Sequence, residues 1–505
     1  MLKSTLERTP KNMCLQDKYK LFKHYYYFFK MFCFSTILII TSLSKYTLAA
    51  EIPKLTQTAI IIPGSNIQAY KYDLSNGLKL IVVPDKRNPI ATIHFILDAG
   101  SNRESKGTTG LAHFFEHMMF RKTIGTPEGN YDKVLNSVGG SGNAGTNDSF
   151  VTFYSSFPGP ALETMLKLEA ARFQNLDITE PYYSIEKGAV ISERKLRVEN
   201  DPMTRSNELI RAITERDTPM EWMTIGSKKD VENMSIDAAK IFYKNFYTPD
   251  NTLMIVGGPF DPKNVATLVQ KYFGDWKGKL NIQHNKLPSD YFTRDLGKRF
   301  ICSAPVFTKK YKIVYPSNTS NIKSIIYSLI FQSLLDDNIN GTFERRLLKE
   351  KLTTDFNFYK VYWQNQNNPL IVNFSLSKDQ KLDPVLKFWE KGIEEVLNKP
   401  ISDKIRRQIL KQLAVSNAET AEKMTGLVNT ILDNTFFLND FNSAGQAEKI
   451  VKSITNEAFR QWVKENLGLN KFYITGVVTP NEAPSCNDFY AEYQKNKEAK
   501  NVPAK

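Results

Sequence analysis

The feature that most restricts the fold is an order of elements that runs through the chain twice. In the first half, Ala69–Val83 reads as a strand hairpin around Ser75-Asn76-Gly77, since Asn-Gly suits a type I′ turn. A strand at Ala91–Asp98 follows, then helices over about 109–121 and 131–138, a Gly-rich turn and strand (139–155), and helices from Pro160 to about Asn175 and from Pro181 to Glu199. The half closes on the strand Thr252–Val256, stopped by Gly257-Gly258. The second half offers a strand at Tyr311–Val314, helices Ile322–Leu335 and Thr342–Lys351, strands Asn357–Trp363 and Leu370–Leu376, helices at 382–397 and 402–417, and a last strand Phe472–Val478. The endings agree most clearly, with Asn251-Thr-Leu-Met-Ile-Val-Gly257 set beside Asn470-Lys-Phe-Tyr-Ile-Thr-Gly476. The pattern predicts an α+β chain of two homologous tandem domains, each a mostly antiparallel sheet packed with helices. The expected boundaries are 51–276 and 301–505, with a polar linker at 277–300.

Residues 1–50 stand apart. A basic stretch (Lys18, Lys20, Lys23, Lys30) precedes an apolar run from Met31 to about Leu43 and a small-residue exit at Ala49-Ala50, the layout of a secretory signal. A run of about 13 residues is short of the roughly 20 that cross a bilayer, so a cleaved leader is expected rather than a membrane span, with an uncleaved anchor as the alternative. The expected location is periplasmic or secreted. This segment also carries much of the positive charge: it holds eight Lys/Arg against two Asp/Glu, leaving +8 of the chain's +14 for the other 455 residues. That remainder is only mildly basic and lacks a Lys/Arg-rich run with interleaved aromatics, so nucleic acid is not an expected partner. Outside the leader only Cys302 and Cys486 remain, either one disulfide formed after export or two buried thiols, and no CxxC spacing exists.

Chemistry concentrates at Thr108-Thr-Gly-Leu-Ala-His113-Phe-Phe-Glu116-His117-Met-Met-Phe. On a helix, His117 lies about 40° and Glu116 about 60° to either side of His113, so all three project from one face. Thr108 or Thr109 is the expected cap. Two neutral imidazoles one turn apart suit Zn²⁺, and the open coordination positions leave room for a water. Glu116 then stands beside that water as a general base. The chain has only 5 His, so a chance HxxEH is rare. His24 belongs to the leader, His94 alternates with apolar neighbours as a structural residue would, and His284 lies in the linker. A third protein ligand is needed. Glu186 and Glu193 sit seven residues apart on one helical face, and their spacing does not choose between them.

At these residues the sequence resembles the pitrilysin/insulysin family of inverted-motif (HxxEH) zinc peptidases, particularly short bacterial members similar to mitochondrial processing peptidase subunits. The resemblance spans Gly100-Ser101, Gly110-Leu-Ala-His-Phe-Phe-Glu-His117, Gly140…Asn143-Ala144…Thr146, Leu168-Glu169…Arg172 and Glu186…Val190-Ile-Ser-Glu193-Arg194. It implies one zinc per chain ligated by His113, His117 and Glu193, with Glu116 as general base and Glu186 supporting the ligands. It also implies that the strand at Asn143-Ala144 pairs with an extended peptide as an added strand. Active members carry an Arg and a Tyr seven residues apart that hold the substrate carbonyl, and here Lys349 and Phe356 occupy those positions. Tyr359 or Arg345-Arg346 are alternatives if that alignment slips. Because some short members divide the site between two chains, the expectation is a metal-bearing subunit that needs a second family subunit to supply the Arg/Tyr pair. The competing readings are a non-catalytic scaffold or peptide-binding subunit, and an organellar presequence-processing peptidase. The single Arg of residues 1–50, Arg8, speaks against the organellar reading.

Overall fold

Among the described residues, twelve strands alternate with helices and assemble into two sheets. The computed structural model describes residues 54–280, 287–317, 321–336, 342–360, 368–437 and 446–500. The leader, His284 and the end of the strand expected at Asn357–Trp363 lie outside them. The first sheet holds β1 (Lys54–Ile61), β2 (Gln68–Asp73), β3 (Lys79–Pro84), β4 (Ile90–Leu97), β5 (Ser141–Thr146), β6 (Val151–Pro158) and β7 (Thr252–Gly258), in the order β1-β2-β3-β7-β4-β6-β5. The second holds β8 (Arg299–Ser303), β9 (Lys309–Tyr315), β10 (Asp355–Lys360), β11 (Leu370–Leu376) and β12 (Tyr473–Val478), in the order β10-β11-β9-β12-β8. Only β3–β7 in the first sheet and β8–β12 in the second are parallel. Remove β1 and β2, and β3 to β7 match β8 to β12 in place and direction. The duplicated α+β plan expected from sequence is therefore present strand for strand.

Helices fall at matching points. In the first half these are α1 (Leu111–Met118), α2 (Asn130–Ser137), α3 (Leu162–Gln174), α4 (Glu180–Arg194), α5 (Pro202–Thr214), α6 (Lys228–Asn233), α7 (Ile236–Phe246) and α8 (Pro262–Phe273). The second half has α9 (Ile322–Leu335), α10 (Phe343–Lys349), α11 (Leu382–Asn398), α12 (Asp403–Glu422), α13 (Met424–Leu432), α14 (Ala447–Ser453), α15 (Asn456–Asn466) and α16 (Cys486–Lys500). On one face of the first sheet, Val82, Phe95, Val256 and Phe153 pack against Phe114, Phe115, Leu166 and Phe173. On the matching face of the second, Ile313, Tyr315, Val372 and Phe374 pack against Ile330, Phe331, Trp389 and Ile393. Phe114 and Phe115 are fully buried, so each contributes about 2–3 kcal/mol and fixes which side of α1 faces away from the core.

The opposite faces are closed across the halves. Leu427, Val428 and Ile431 of α13 cover Ile81, Ile96, Leu253 and Ile255 of the first sheet. Conversely, Leu209, Ile210 and Ile213 of α5 meet Phe300, Val314, Tyr473 and Val477 of the second sheet. Gly257 permits the first of these contacts, because a Cβ there would lie 2.2 Å from Met424 Sδ. Cys302 on β8 and Cys486 at the start of α16 form a disulfide, which resolves the two alternatives left by the sequence.

Four local expectations change. The β2–β3 hairpin is not a two-residue type I′ turn: Gly77 N–H donates to Leu74 O and Leu74 N–H to Leu78 O, and of the loop residues only Gly77 has positive φ. That is a type I turn followed by a left-handed glycine, and Asn76 is held instead by donating to Phe273 O and Trp276 O. Residues 139–155 form a second hairpin, β5–β6, because full pairing with β6 overrides the weak strand propensity of Ser-Gly-Asn-Ala-Gly-Thr. The helix expected to reach Glu199 changes to π geometry over Lys195–Glu199. Finally, Gly257 and Gly476 are not equivalent. Met254 and Val256 face the helices in the first sheet, whereas Ile474 and Val478 do so in the second, so the matched endings are one residue out of step.

Candidate metal centre

The first turn of α1 is anchored by acids that the local sequence does not reveal. Gly110, at φ 95°, is the N-cap residue, and neither Thr108 nor Thr109 caps the helix as expected. Glu104, almost fully buried, accepts from the N–H of Gly110 (2.9 Å) and Ala112 (2.8 Å). Burial pushes its carboxyl up to about 8 despite those two donors. Asp230 holds the preceding loop by accepting from Gly107 N–H, Thr109 N–H and the Thr109 hydroxyl.

One turn further on, the three ligand atoms offered by His113, His117 and Glu193 lie within 4.8 Å of one another. Glu193 Oε2 stands 3.6 Å from His113 Nε2 and 3.3 Å from His117 Nε2. Its other oxygen is 2.6 Å from Arg197 of the π segment. The two acids that spacing could not separate are separated here by the two nitrogens of one ring. Glu193 faces the Nε2 side of His117, whereas Glu186 Oε2 meets its Nδ1 at 3.1 Å. A carboxylate on Nδ1 fixes the tautomer that leaves Nε2 free for a metal.

Glu186 is itself paired with Arg121, a contact that sequence spacing did not suggest. Burial raises the Glu186 carboxyl, but the hydrogen bond from His117 and the charge of Arg121 outweigh it and hold the group below its usual range. The hydrogen bond to Glu186 lifts His117, while burial, then the neighbouring His117, lowers His113. Glu116 points to the same side, where Thr146 at the end of β5 donates to Glu116 Oε2 at 2.6 Å. A cleft of about 360 Å³ opens here, lined by Glu116, His117, Phe120, Arg121, Asp132 and Glu186.

The donor set fits zinc. Two imidazoles and one carboxylate converge, and three protein ligands are the number that leaves a four-coordinate zinc one position for water. Asn143 and Ala144 lie on β5, the last strand of its sheet, which pairs only with β6 among the described residues. Asn143 is exposed and Ala144 half-buried. Of the other histidines described, His94 is buried against Tyr154 as a structural residue, its rings 5.4 Å apart.

Residues 80–228 match the family model described as "Insulinase (Peptidase family M16)", and residues 233–413 the one described as "Peptidase M16 inactive domain". Among curated proteins the chain is 26% identical over 245 residues to "Zinc protease PqqE" of Helicobacter pylori, covering 47% of this chain and 54% of that protein. It is also 26% identical over 200 residues to "Probable mitochondrial-processing peptidase subunit beta, mitochondrial" of Arabidopsis thaliana, covering 40% of this chain and 38% of that protein. The chain thus spans about half or less of the curated relatives it matches. Among solved structures, a protease from Helicobacter pylori shares the fold with a TM-score of 0.73 at 18% identity, over 82% of this chain and 100% of that one. The first half of the periplasmic protease PqqL from Escherichia coli does so with a TM-score of 0.66 at 16% identity, over 89% and 98%.

Proposed function

Because the chain belongs to the insulinase-type peptidase family M16, we propose that it is a zinc-dependent endopeptidase for peptides or unfolded segments bound in extended form. The observation that carries this reading is the meeting of His113, His117 and Glu193 beside Glu116. Zinc held by the first three would polarise a peptide carbonyl and acidify a bound water. Glu116 takes up the proton released in the attack and returns it to the departing amine. Thr146 keeps the Glu116 carboxylate aimed, and Glu186 with Arg121 keeps His117 in the required tautomer. The outer edge of β5 at Asn143 and Ala144 would pair with an added strand, the Ala144 N–H being released from Asn143 Oδ1, so that the peptide is placed by backbone bonds that do not depend on its sequence.

The second half supports a divided site. Lys349 ends α10, and Phe356 on β10 turns its ring onto Phe343 and Trp389. Arg346 is taken up by Glu395 and Leu335 O, and the Tyr359 hydroxyl accepts from Asn373. Lys349 and Phe356 thus leave no Arg/Tyr pair at those two positions, and in this reading a second family subunit provides it. The disulfide favours an oxidising compartment, in line with the leader expected over residues 1–50, hence periplasm or exterior. Among the described residues no helix is long and apolar enough to cross a membrane.

The test is elemental analysis of the purified chain followed by peptide cleavage, alone and with candidate partner subunits. One zinc per chain and cleavage that rises sharply on adding a partner are expected. Absence of bound zinc sinks the peptidase reading, and full activity alone sinks the divided site.

A further inference from the structure

The outer face of the second sheet carries a polar groove that the chemistry above does not use. Strand register places Lys312 opposite Thr475 on β12 and Asn373 on β11, and Asn373 opposite Asn357 on β10. These four side chains form one row across four strands, at about 4.8 Å per strand. The next row on the same face is Val477, Lys310, Ser375 and Asp355. Met203 and Asn207 of α5 complete a groove of about 450 Å³.

Neither Lys310 nor Lys312 has an ion pair or hydrogen bond among the described residues. Lys312 remains reachable by water, but the groove walls, then Arg211 and Lys310, hold its ammonium below the usual range. Arg211 is itself paired with Asp148 at 2.8 Å. Of the nearby acids, Asp201 caps α5 and feels the charge of Lys310 without contacting it, and Asp355 lies two strands from Lys310, about 10 Å away. Asn373 Oδ1 is buried without a partner. Two exposed ammonium groups without a direct side-chain partner thus stand on one face beside a buried, unpaired amide oxygen, an arrangement that an anionic ligand fits. The row is too polar to seat an apolar helix, and its excess charge is positive.

Its position names the ligand. Met203 follows Glu193 by ten residues, through the π segment and the extended Asp201, so the groove begins no more than about 20 Å along the chain from the metal group. An extended peptide covers that distance in about six residues. Resting on the endopeptidase reading, we propose that the Lys310/Lys312 groove is a subsite for a carboxylate of the peptide substrate, several residues from the bond that is cut.

The test uses the full chain carrying Glu116→Gln, so that bound peptide is not turned over. Fluorescence anisotropy compares labelled ten-residue peptides, amidated at the C-terminus, that carry either Glu or Gln at each position in turn. At one or two adjacent positions Glu should bind roughly tenfold tighter, as a charge-assisted contact does. The preference should vanish with Lys310→Met/Lys312→Met and persist with Lys310→Arg/Lys312→Arg, which separates loss of charge from loss of fold. A second arm gives the neutral peptide a free C-terminal carboxylate: tighter binding that needs both lysines assigns the groove to chain ends rather than side chains, still within the proposal. Equal affinity for Glu, Gln and free-carboxylate peptides overturns it. If Glu-selective binding is seen while the wild-type chain cuts no peptide with or without a partner, the subsite stands and the endopeptidase reading falls. Cleavage without acidic preference gives the reverse.

Discussion

The two sheets are built to one plan and are closed in different ways. On the first, α13 lays Leu427, Val428 and Ile431 over β4, β7 and their neighbours, leaving His94 as a buried imidazole stacked on Tyr154. On the second, α5 and α16 cover only the β8–β12 side, and Lys312 at the middle of β9 looks into a groove. The helix sides differ as well. α1 carries His113, Glu116 and His117, while α9, at the matching place, carries Ile, Tyr, Phe and Leu and is largely buried. One copy carries the candidate metal ligands and the other a packed core. Duplication therefore preserves the hydrogen-bonded frame, which every residue's backbone shares, and frees the side chains that the frame does not need.

The largest effect expected from breaking this division is at Glu116. Glu116→Gln should lower peptide hydrolysis by about 10²–10⁴-fold while zinc content, read by mass spectrometry, is unchanged. Loss of zinc together with activity would show that Glu116 serves the metal site itself. Removing the disulfide with Cys302→Ala/Cys486→Ala should cost about 2–5 kcal/mol in chemical denaturation. The reciprocal probe is Leu427→Ala, which opens a cavity under α13 and should cost about 2–5 kcal/mol. Because α13 belongs to the second half and covers the first sheet, both halves should lose protection from hydrogen exchange together. Separate loss would mean that the halves are independent.

His94 gives a smaller, pH-dependent effect. Burial lowers its pKa to about 4 from the ordinary 6.5, so the folded chain binds its proton less readily than the unfolded chain does. Its contribution is fully present above about pH 6.5 and is lost as pH falls toward 4, amounting to about 3 kcal/mol at most. Thermal midpoints of the wild type should fall across that window more than those of His94→Gln. Parallel curves would show that His94 reaches water in the folded state.

Much of the site was legible because its parts are local. His113, Glu116 and His117 fall within one turn, so helical geometry alone puts them on one face. Glu186 and Glu193 were legible as a pair but not as individuals, since both lie on one face of α4 and only the ring of His117 between them assigns one to each nitrogen. Glu104, Asp230 and Arg121 carried no readable signal, and Thr146 entered only as part of the family resemblance. Glu104, Thr146 and Asp230 reach α1 and its preceding loop from a turn, a strand end and a helix, and a lone acid or threonine reads as surface until its partner is known. Arg121 follows α1 directly, but its partner Glu186 is 65 residues away.

What the sequence determined by itself is whatever repeats over short distances: alternation along strands, turns at Gly77, the HxxEH face, and the doubled order of elements. Even there the strand endings were matched one residue out of step, because a pleated strand offers two faces and the local pattern does not say which one meets a helix. The tertiary structure alone decided which apolar face meets which. An alternating strand is satisfied by any apolar cover, so α13 crossing to the first sheet and α5 crossing to the second are choices of packing across more than a hundred residues. The same crossing closed one outer face over His94 and left Lys310 and Lys312 beside open water.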